Sequence, residues 1–278
     1  MKLTEQFPRT TDLPSQSSKF WVKEKDRHIR QLLISDLEQA LGRKVIVYFA
    51  QLNESISPRD ADDLSEIIEG VDSKDIDLII QTPGGSADAV EKFITVLKLR
   101  LNSYRVIVPN VAKSGGTVIA MSSTNILLGV NSELGPIDPQ MMITNLGFVP
   151  CEFIAQEDSE QPAIYRKVAD SSVQRMRILA RKVLQNGLLS DKTEKDTDVL
   201  IDKISSSDTY KSHGAVIDYD EAKKIGLQVE WLEPTDRIWK LVWLLYCCYD
   251  QDTRAKNIGK IVEEVKYSIE KQSSYVTE

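Results

Sequence analysis

The sequence predicts an α/β protein with a largely parallel β-sheet. Short β-rich runs alternate with longer segments in which apolar residues recur at helical spacing, and this alternation is typical of βαβ units. The β-rich runs are nearly continuous in apolar residues, as expected for strands that helices cover on both faces. Glycine-rich corners follow two of these strands, at the carboxyl ends where ligands bind in parallel sheets.

The first half of the chain provides the repeated units. β-rich runs bounded by turn residues predict strands at residues 44–50, 76–81, 104–109 and 126–130. Apolar residues at helical spacing predict helices over residues 21–41, from residue 58 onward, and over residues 87–101 and 115–123. Gly42 is expected to end the first of these helices, and Pro58 to begin the second.

The second half is mainly helical in pattern. Helices are predicted for residues 163–186, 193–205 and 220–226, and residues 227–232 can add one strand. From Thr235 to Ile269 the spacing of apolar residues again indicates helix.

Composition excludes several classes of protein. The chain has 278 residues, of which 41% are hydrophobic and 28% charged, and this is ordinary for a soluble domain with a large core. A net charge of -7 without any basic run argues against nucleic acid as a partner. Three cysteines and two histidines form neither a disulfide framework nor a metal-binding spacing, so no metal or cofactor is expected.

No stretch has the pattern of a targeting or membrane segment. Residues 1–18 are polar and contain two prolines, which indicates a flexible arm rather than a secretory signal. The longest apolar run, residues 241–249, is too short to span a bilayer. We therefore expect a cytoplasmic protein without membrane insertion.

The corner after the strand at residues 104–109 carries the strongest chemical signal. Ser114 is followed by Gly115 and Gly116 and then by an apolar helix. A serine in this place is often a simple helix N-cap. However, each glycine costs the helix about 1 kcal/mol relative to alanine. That cost is understandable if an acyl substrate approaches the backbone and its developing oxyanion needs N–H donors.

A second glycine corner, formed by Gly84, Gly85 and Ser86, follows the preceding strand. Its Pro-Gly pair is also compatible with a plain turn. The alternative is a second source of oxyanion N–H groups, with an extended edge against which a substrate strand pairs. Because both corners leave the carboxyl ends of consecutive strands, we expect them to meet and form one site.

These motifs resemble the Clp/crotonase superfamily and, within it, the serine dehydrogenase proteinase family, which is related to signal peptide peptidase A. The resemblance covers roughly residues 45–232. It is carried by Thr-Pro-Gly-Gly at residues 82–85, Ser-Gly-Gly-Thr-Val-Ile-Ala at 114–120, Leu-Gly-Pro-Ile-Asp-Pro-Gln at 134–140, and His213 ahead of Asp-Glu-Ala-Lys-Lys-Ile-Gly-Leu at 220–227. It implies a spiral of βαβ units, a nucleophile at Ser114, peptide hydrolysis and a homo-oligomer.

The resemblance also sets the expected domain organisation. Residues 1–18 are the flexible arm, residues 19–235 a Clp/crotonase-like peptidase domain, and residues 236–278 a helical C-terminal extension. The expected partner is a peptide or unfolded protein substrate.

A serine hydroxyl needs a base to become a good nucleophile. In Clp-like peptidases the base histidine lies where Asp138 falls here, and their aspartate lies near the position of His213. The exchange predicts a Ser114–His213–Asp138 triad, since triads occur in several chain orders. Asp138 in an Asp-Pro turn, or His213 as a structural histidine, is the simpler alternative.

A lysine is the alternative base, because the signal peptide peptidases that this chain resembles use a Ser/Lys dyad. Lys167 lies in the helix where that lysine is expected, and a buried lysine can act as a base. A solvated helix lysine is the simpler interpretation of Lys167. Lys113 ranks third, because neighbours in sequence usually point apart.

The leading interpretation is a soluble serine endopeptidase that forms an acyl-enzyme on Ser114. Gly115 would supply one oxyanion N–H and Gly84 or Gly85 the other, with Gly116 and Ser86 beside the substrate. A crotonase-like acyl-CoA enzyme would use similar N–H groups but needs no serine at this corner. An inactive oligomeric scaffold is the remaining alternative. The sequence has no P-loop, so this chain is not expected to power unfolding itself.

Overall fold

The computed structural model describes residues 17–156 and 158–274, so the predicted arm lies almost entirely outside the described residues. The helices are α1 (Ser18–Lys23), α2 (Lys25–Leu41), α3 (Pro58–Glu69), α4 (Ala87–Arg100), α5 (Gly115–Met121), α6 (Cys151–Ala155), α7 (Ala163–Gln185), α8 (Glu194–Ser205), α9 (Ser207–Tyr210), α10 (Tyr219–Ile225) and α11 (Arg237–Lys256). The strands are β1 (Lys44–Ala50), β2 (Asp75–Gln81), β3 (Ser103–Val108), β4 (Val111–Ala112), β5 (Ile126–Leu128), β6 (Glu133–Leu134), β7 (Gln140–Ile143), β8 (Gly147–Pro150), β9 (Val229–Trp231), β10 (Ile258–Glu263) and β11 (Ser268–Gln272).

A seven-stranded sheet with the order β11-β10-β1-β2-β3-β5-β9 forms the centre of the described structure. Strands β1, β2, β3, β5 and β9 pair in parallel, whereas β10 is antiparallel to both of its neighbours. This confirms the predicted α/β class with a mostly parallel sheet. In the described part of the chain, no helix combines the length and the apolar character needed to cross a bilayer.

The central strands bury side chains on both faces. Ile46 and Tyr48 on β1 belong to one core, which helices α3, α4, α5, α7, α8 and α10 cover. Val45 and Val47 point to the opposite face, where α2 and α11 pack. Burial on both faces explains the nearly continuous apolar runs in the sequence.

The C-terminal segment differs from its prediction. Helix α11 is present, but the helical pattern extended to Ile269 in the sequence ends at Lys256, where Asn257 adopts a left-handed φ of 51°. The chain then returns as β10 and β11 beside β1. The prediction of helix throughout this stretch is therefore wrong after residue 257. All residues of β10 are buried, and burial on both faces removes the alternation that distinguishes a strand from a helix.

A hairpin of β7 and β8, followed by α6, occupies a stretch for which the sequence analysis assigned no element. Asn145 and Gly147 adopt positive φ values of 69° and 78° in its turn. The hairpin begins two residues after Asp138 and therefore lies beside the candidate site described below.

A buried ionic cluster ties β10 and β11 to the helices. The fully buried Arg30 on α2 donates from Nε to Glu263 Oε2 at 2.8 Å and from one terminal nitrogen to Glu270 Oε1 at 3.0 Å. It also pairs with Asp252 on α11. Burial by itself lowers the pKa of Arg30, but Glu263, Tyr249 and Asp252 together outweigh this effect and hold the pKa above its ordinary value. The cluster thus joins α2 to α11, β10 and β11, which lie at the other end of the chain.

We expect the Arg30→Ala variant to lose about 3–5 kcal/mol of unfolding free energy, because it leaves the buried Glu263 carboxylate without its cation. The control is Arg254→Ala, which removes an exposed pair with Asp250 within α11 and should cost about 0–1 kcal/mol. Urea denaturation measures both. Equal losses for the two variants would contradict this role of Arg30.

Candidate active site

The two glycine corners lie against each other at the carboxyl edge of the sheet. The Lys113 backbone N–H donates to the Thr82 carbonyl oxygen at 3.2 Å. A β-carbon on Gly84 would lie 2.7 Å from the Gly115 backbone nitrogen and 2.8 Å from the Ser114 β-carbon. Gly84 also has a φ of 104°, which side chains rarely allow. Only glycine therefore permits this approach of the two loops.

Ser114 lies in the tight turn between β4 and α5. Its φ of 52° and ψ of -118° are uncommon for a residue with a side chain, and such backbone strain costs about 1–3 kcal/mol. Ser114 occupies the position that precedes α5, but its hydroxyl makes no capping hydrogen bond. Simple helix capping therefore does not account for this serine.

A cavity of about 890 Å³ opens in front of this turn. Six of the predicted site residues line it: Ser114, Gly84, Gly85, Ser86, His213 and Lys167. The other predicted residues lie behind its wall. Gly115 and Gly116 are buried in the first turn of α5, and Asp138 is buried behind His213.

Asp138 and His213 form a close pair. Asp138 Oδ1 lies 2.8 Å from His213 Nδ1, although the two residues are far apart in sequence. The Asp138 side chain is 3% exposed, whereas His213 is 34% exposed and reaches the cavity. Because Nδ1 faces the carboxylate, Nε2 lies on the far side of the imidazole ring. The pair has the arrangement of a base and the carboxylate that orients it.

The serine–histidine contact of a triad is not formed among the described residues of this structure. Within the described residues, no hydrogen bond joins Ser114 to His213, although both side chains line one cavity. Catalytic hydrogen bonds are often long before substrate binds, so this geometry does not exclude the pair.

The two lysines that the sequence offered as bases have different surroundings. Lys167 lines the cavity but lies on the exposed side of α7, without the burial that a lysine base requires. Lys113 Nζ lies 2.9 Å from Glu133 Oε2 and donates to the Gly214 carbonyl oxygen at 2.8 Å. Of the three candidate bases, His213 is the one that contacts a buried carboxylate.

Sequence reasoning missed the side chains that hold Asp138. Gln140 Nε2 donates to Asp138 Oδ2 at 2.6 Å, and the Ser207 hydroxyl donates to the same oxygen at 3.3 Å. Gln140 lies in the Leu-Gly-Pro-Ile-Asp-Pro-Gln motif, so its spacing was an available signal. Ser207 comes from α9, and no local pattern marks it.

Cys151 is the nearest thiol to the carboxylate. Burial raises the pKa of Cys151, and the Asp138 charge raises it further. A buried thiol with a raised pKa is a poor nucleophile.

The sequence model of the ClpP-like SDH-type serine proteinases matches residues 52–274. An uncharacterized protein of Methanocaldococcus jannaschii is 32% identical over 225 residues, which are 76% of this chain and 72% of that protein. A second uncharacterized protein of the same organism is 30% identical over 207 residues, which are 70% of this chain and 65% of the relative.

Two solved protease structures match the chain at low sequence identity. ClpP1 from Listeria monocytogenes is 16% identical with a TM-score of 0.43, and the match covers 72% of this chain and 98% of that one. A mutant of a membrane-bound stomatin-specific protease is 21% identical with a TM-score of 0.44, covering 70% and 82%. The match of the family model confirms the resemblance drawn from the motifs. The chain is a member of the ClpP-like SDH-type serine proteinases.

Proposed function

We propose that this protein is a serine endopeptidase with Ser114 as its nucleophile. The proposal is carried by the strained turn at Ser114, whose hydroxyl makes no capping hydrogen bond. Ser114 lines the same cavity as His213, and the imidazole of His213 contacts the buried carboxylate of Asp138. Membership in a serine proteinase family supports the same chemistry and favours it over the acyl-CoA alternative.

In the proposed mechanism His213 is the general base. Its Nε2 accepts the Ser114 proton as Oγ attacks the scissile carbonyl carbon, and Asp138 stabilises the imidazolium that forms. The tetrahedral intermediate collapses when the same proton passes to the leaving amine, which leaves an ester on Ser114. Water, deprotonated by His213, then attacks this ester, and the proton passes from His213 to Ser114 Oγ as the C–O bond breaks and the carboxylic acid is released. Asp138 supports the ring without accepting the proton.

The proposed oxyanion hole uses the backbone N–H groups of Gly115 and Gly85. Among the described residues neither group has a hydrogen-bond acceptor, and a β-carbon on Gly115 would lie 3.0 Å from the Gly85 nitrogen. The Gly84 N–H donates to Thr82 Oγ1 at 3.1 Å, which favours Gly85 over Gly84. Two backbone N–H groups without an acceptor of their own are suitable donors for a developing oxyanion.

Gly116 and Ser86 are given supporting roles. The Gly116 N–H donates to the Lys113 carbonyl oxygen at 2.8 Å, and a β-carbon on Gly116 would lie 2.6 Å from Thr82 Cγ2. Gly116 therefore permits close packing rather than binding substrate. The Ser86 hydroxyl accepts from the Ala89 N–H at 3.4 Å and caps α4 at the edge of the cavity.

The proposed substrate is a peptide or an unfolded protein segment. The open cavity combines the glycine corner with apolar side chains such as Val168 and Met176 from α7. A homo-oligomer is also proposed, because Phe148 and Met142 on the hairpin are 70% and 61% exposed, and exposed apolar surface marks interaction sites. The cytoplasmic location stays a prediction from the sequence.

The nucleophile is tested with a fluorophosphonate probe and with casein cleavage. We expect the wild type to be labelled at Ser114, and Ser114→Ala to lose labelling and at least about a thousandfold in cleavage rate. Ser65→Ala, on the outer helix α3, is the matched control and should behave as the wild type. Cleavage that survives in Ser114→Ala would refute this nucleophile, and a wild type that neither labels nor cleaves would refute the proposed function.

The base is tested by comparing His213→Ala with Lys167→Ala. We expect His213→Ala to lower kcat by roughly a thousandfold or more, because it removes the proposed acceptor of the serine proton. Lys167 lies on the cavity rim, and its removal should change kcat less than about tenfold. The reverse ranking of the two variants would replace the triad with a Ser/Lys dyad.

The approach of the two corners is tested with Gly84→Ala and Gly42→Ala. Both glycines have positive φ, but nothing lies within 4 Å of a β-carbon on Gly42. Gly42→Ala should cost only the left-handed strain of about 1–2 kcal/mol in unfolding free energy. Gly84→Ala should cost more and also slow labelling of Ser114, since its methyl group displaces the turn. If Gly84→Ala and Gly42→Ala lose the same unfolding free energy and Ser114 is labelled at an unchanged rate, the proposed role of the contact between Gly84 and the Ser114 turn is wrong.

A further inference from the structure

Lys113 connects the nucleophile turn to the loop that carries the candidate base. It directly precedes Ser114 in the chain, and its Nζ donates to the carbonyl oxygen of Gly214, the residue after His213, at 2.8 Å. Nζ also lies 2.9 Å from Glu133 Oε2. The side chain is 20% exposed, so this ammonium has a defined position rather than a solvated one.

The aliphatic part of Lys113 is fixed against a rigid turn. A β-carbon on Gly135 would lie 2.9 Å from Lys113 Cγ and 3.1 Å from its Cβ, so the lysine stem crosses the bare glycine backbone. The Gly135 N–H donates to Thr117 Oγ1 at 3.0 Å, and the Thr117 hydroxyl donates to the Gly135 carbonyl oxygen at 2.9 Å. Because Thr117 belongs to α5, the glycine under the stem is bonded to the helix that follows Ser114.

The loop of His213 has few other attachments. Between α9 and Ile217, the hydrogen bonds of the described structure are local except for two, namely His213 to Asp138 and Gly214 to Lys113. Ser212 and Gly214 are exposed, so packing adds little restraint. The position of the imidazole therefore depends on these two contacts.

We propose that Lys113 is a positioning residue that holds His213 in register with Ser114. One side chain links both partners of the proton transfer, so the distance between them is set by Lys113 rather than by the free loop. This inference rests on the proposed roles of Ser114 and His213. Lys113 then acts as a positioning residue and not as the general base.

The kinetic test is Lys113→Met, which keeps the aliphatic stem over Gly135 and removes only the ammonium. We expect kcat for peptide cleavage and the labelling rate of Ser114 to fall roughly 10- to 100-fold, with a smaller change in KM, because misplaced catalytic groups lose rate rather than binding. Lys224→Met is the matched control, since Lys224 pairs with Glu221 on the exposed side of α10. An active wild type whose kcat is unchanged by Lys113→Met would overturn the inference.

A second measurement does not depend on activity. The chain has two histidines, so their imidazole nitrogen signals are resolved by ¹H–¹⁵N NMR, and His28→Gln identifies the signal of His213. In Lys113→Met we expect the Nδ1–H of His213 to exchange faster with solvent, while Lys224→Met leaves it unchanged. If the wild type neither labels nor cleaves, the proposed function fails and this signal still tests the contact. An unchanged His213 signal in Lys113→Met refutes the positioning role.

Discussion

The contact between Gly84 and the Ser114 turn is the constraint around which the candidate site is built. Strands β2 and β3 are neighbours in a parallel sheet, so their loops leave from one edge. A β-carbon at Gly84 would approach Lys113, Ser114 and Gly115 atoms within 2.7 to 2.8 Å, so any side chain there would separate the loops. The same approach brings the N–H groups of Gly85 and Gly115 together, and it therefore governs both the nucleophile and the proposed oxyanion hole.

Two buried carboxylates, Glu263 and Asp138, make contacts in different parts of this fold. Glu263 accepts from Arg30 and ties the C-terminal strands to the helices, and Asp138 holds the ring of His213 at the cavity. Each carboxylate is almost inaccessible to solvent and accepts hydrogen bonds from several donors. A buried charge is tolerated only when it is paired and hydrogen-bonded in this way. The first is expected to act on stability. The second is proposed to act on catalysis, in a chain order of serine, aspartate and histidine that a triad permits because geometry defines it.

Most of the helices, the parallel strands of the central sheet and the two corners could be predicted, because each leaves a pattern within a few residues. The strand β10 could not, since all six of its residues are buried, including Lys260 and Glu263, and a strand buried on both faces shows no alternation of apolar and polar residues. Gln140 and Ser207 were missed for a related reason. Their contacts with Asp138 exist only when the hairpin and α9 are packed around the carboxylate.

The α/β class, Ser114 and its glycines follow from local chemistry alone, since periodicity and backbone freedom are properties of short segments. The choice among His213, Lys167 and Lys113 does not. Contacts between distant residues depend on how separate loops pack, and sequence spacing carries no information about that packing. In the folded chain Asp138 lies against His213, Lys167 stays exposed, and Lys113 reaches the loop of the histidine. Packing therefore gives different surroundings to the base candidates among which the sequence left the choice open.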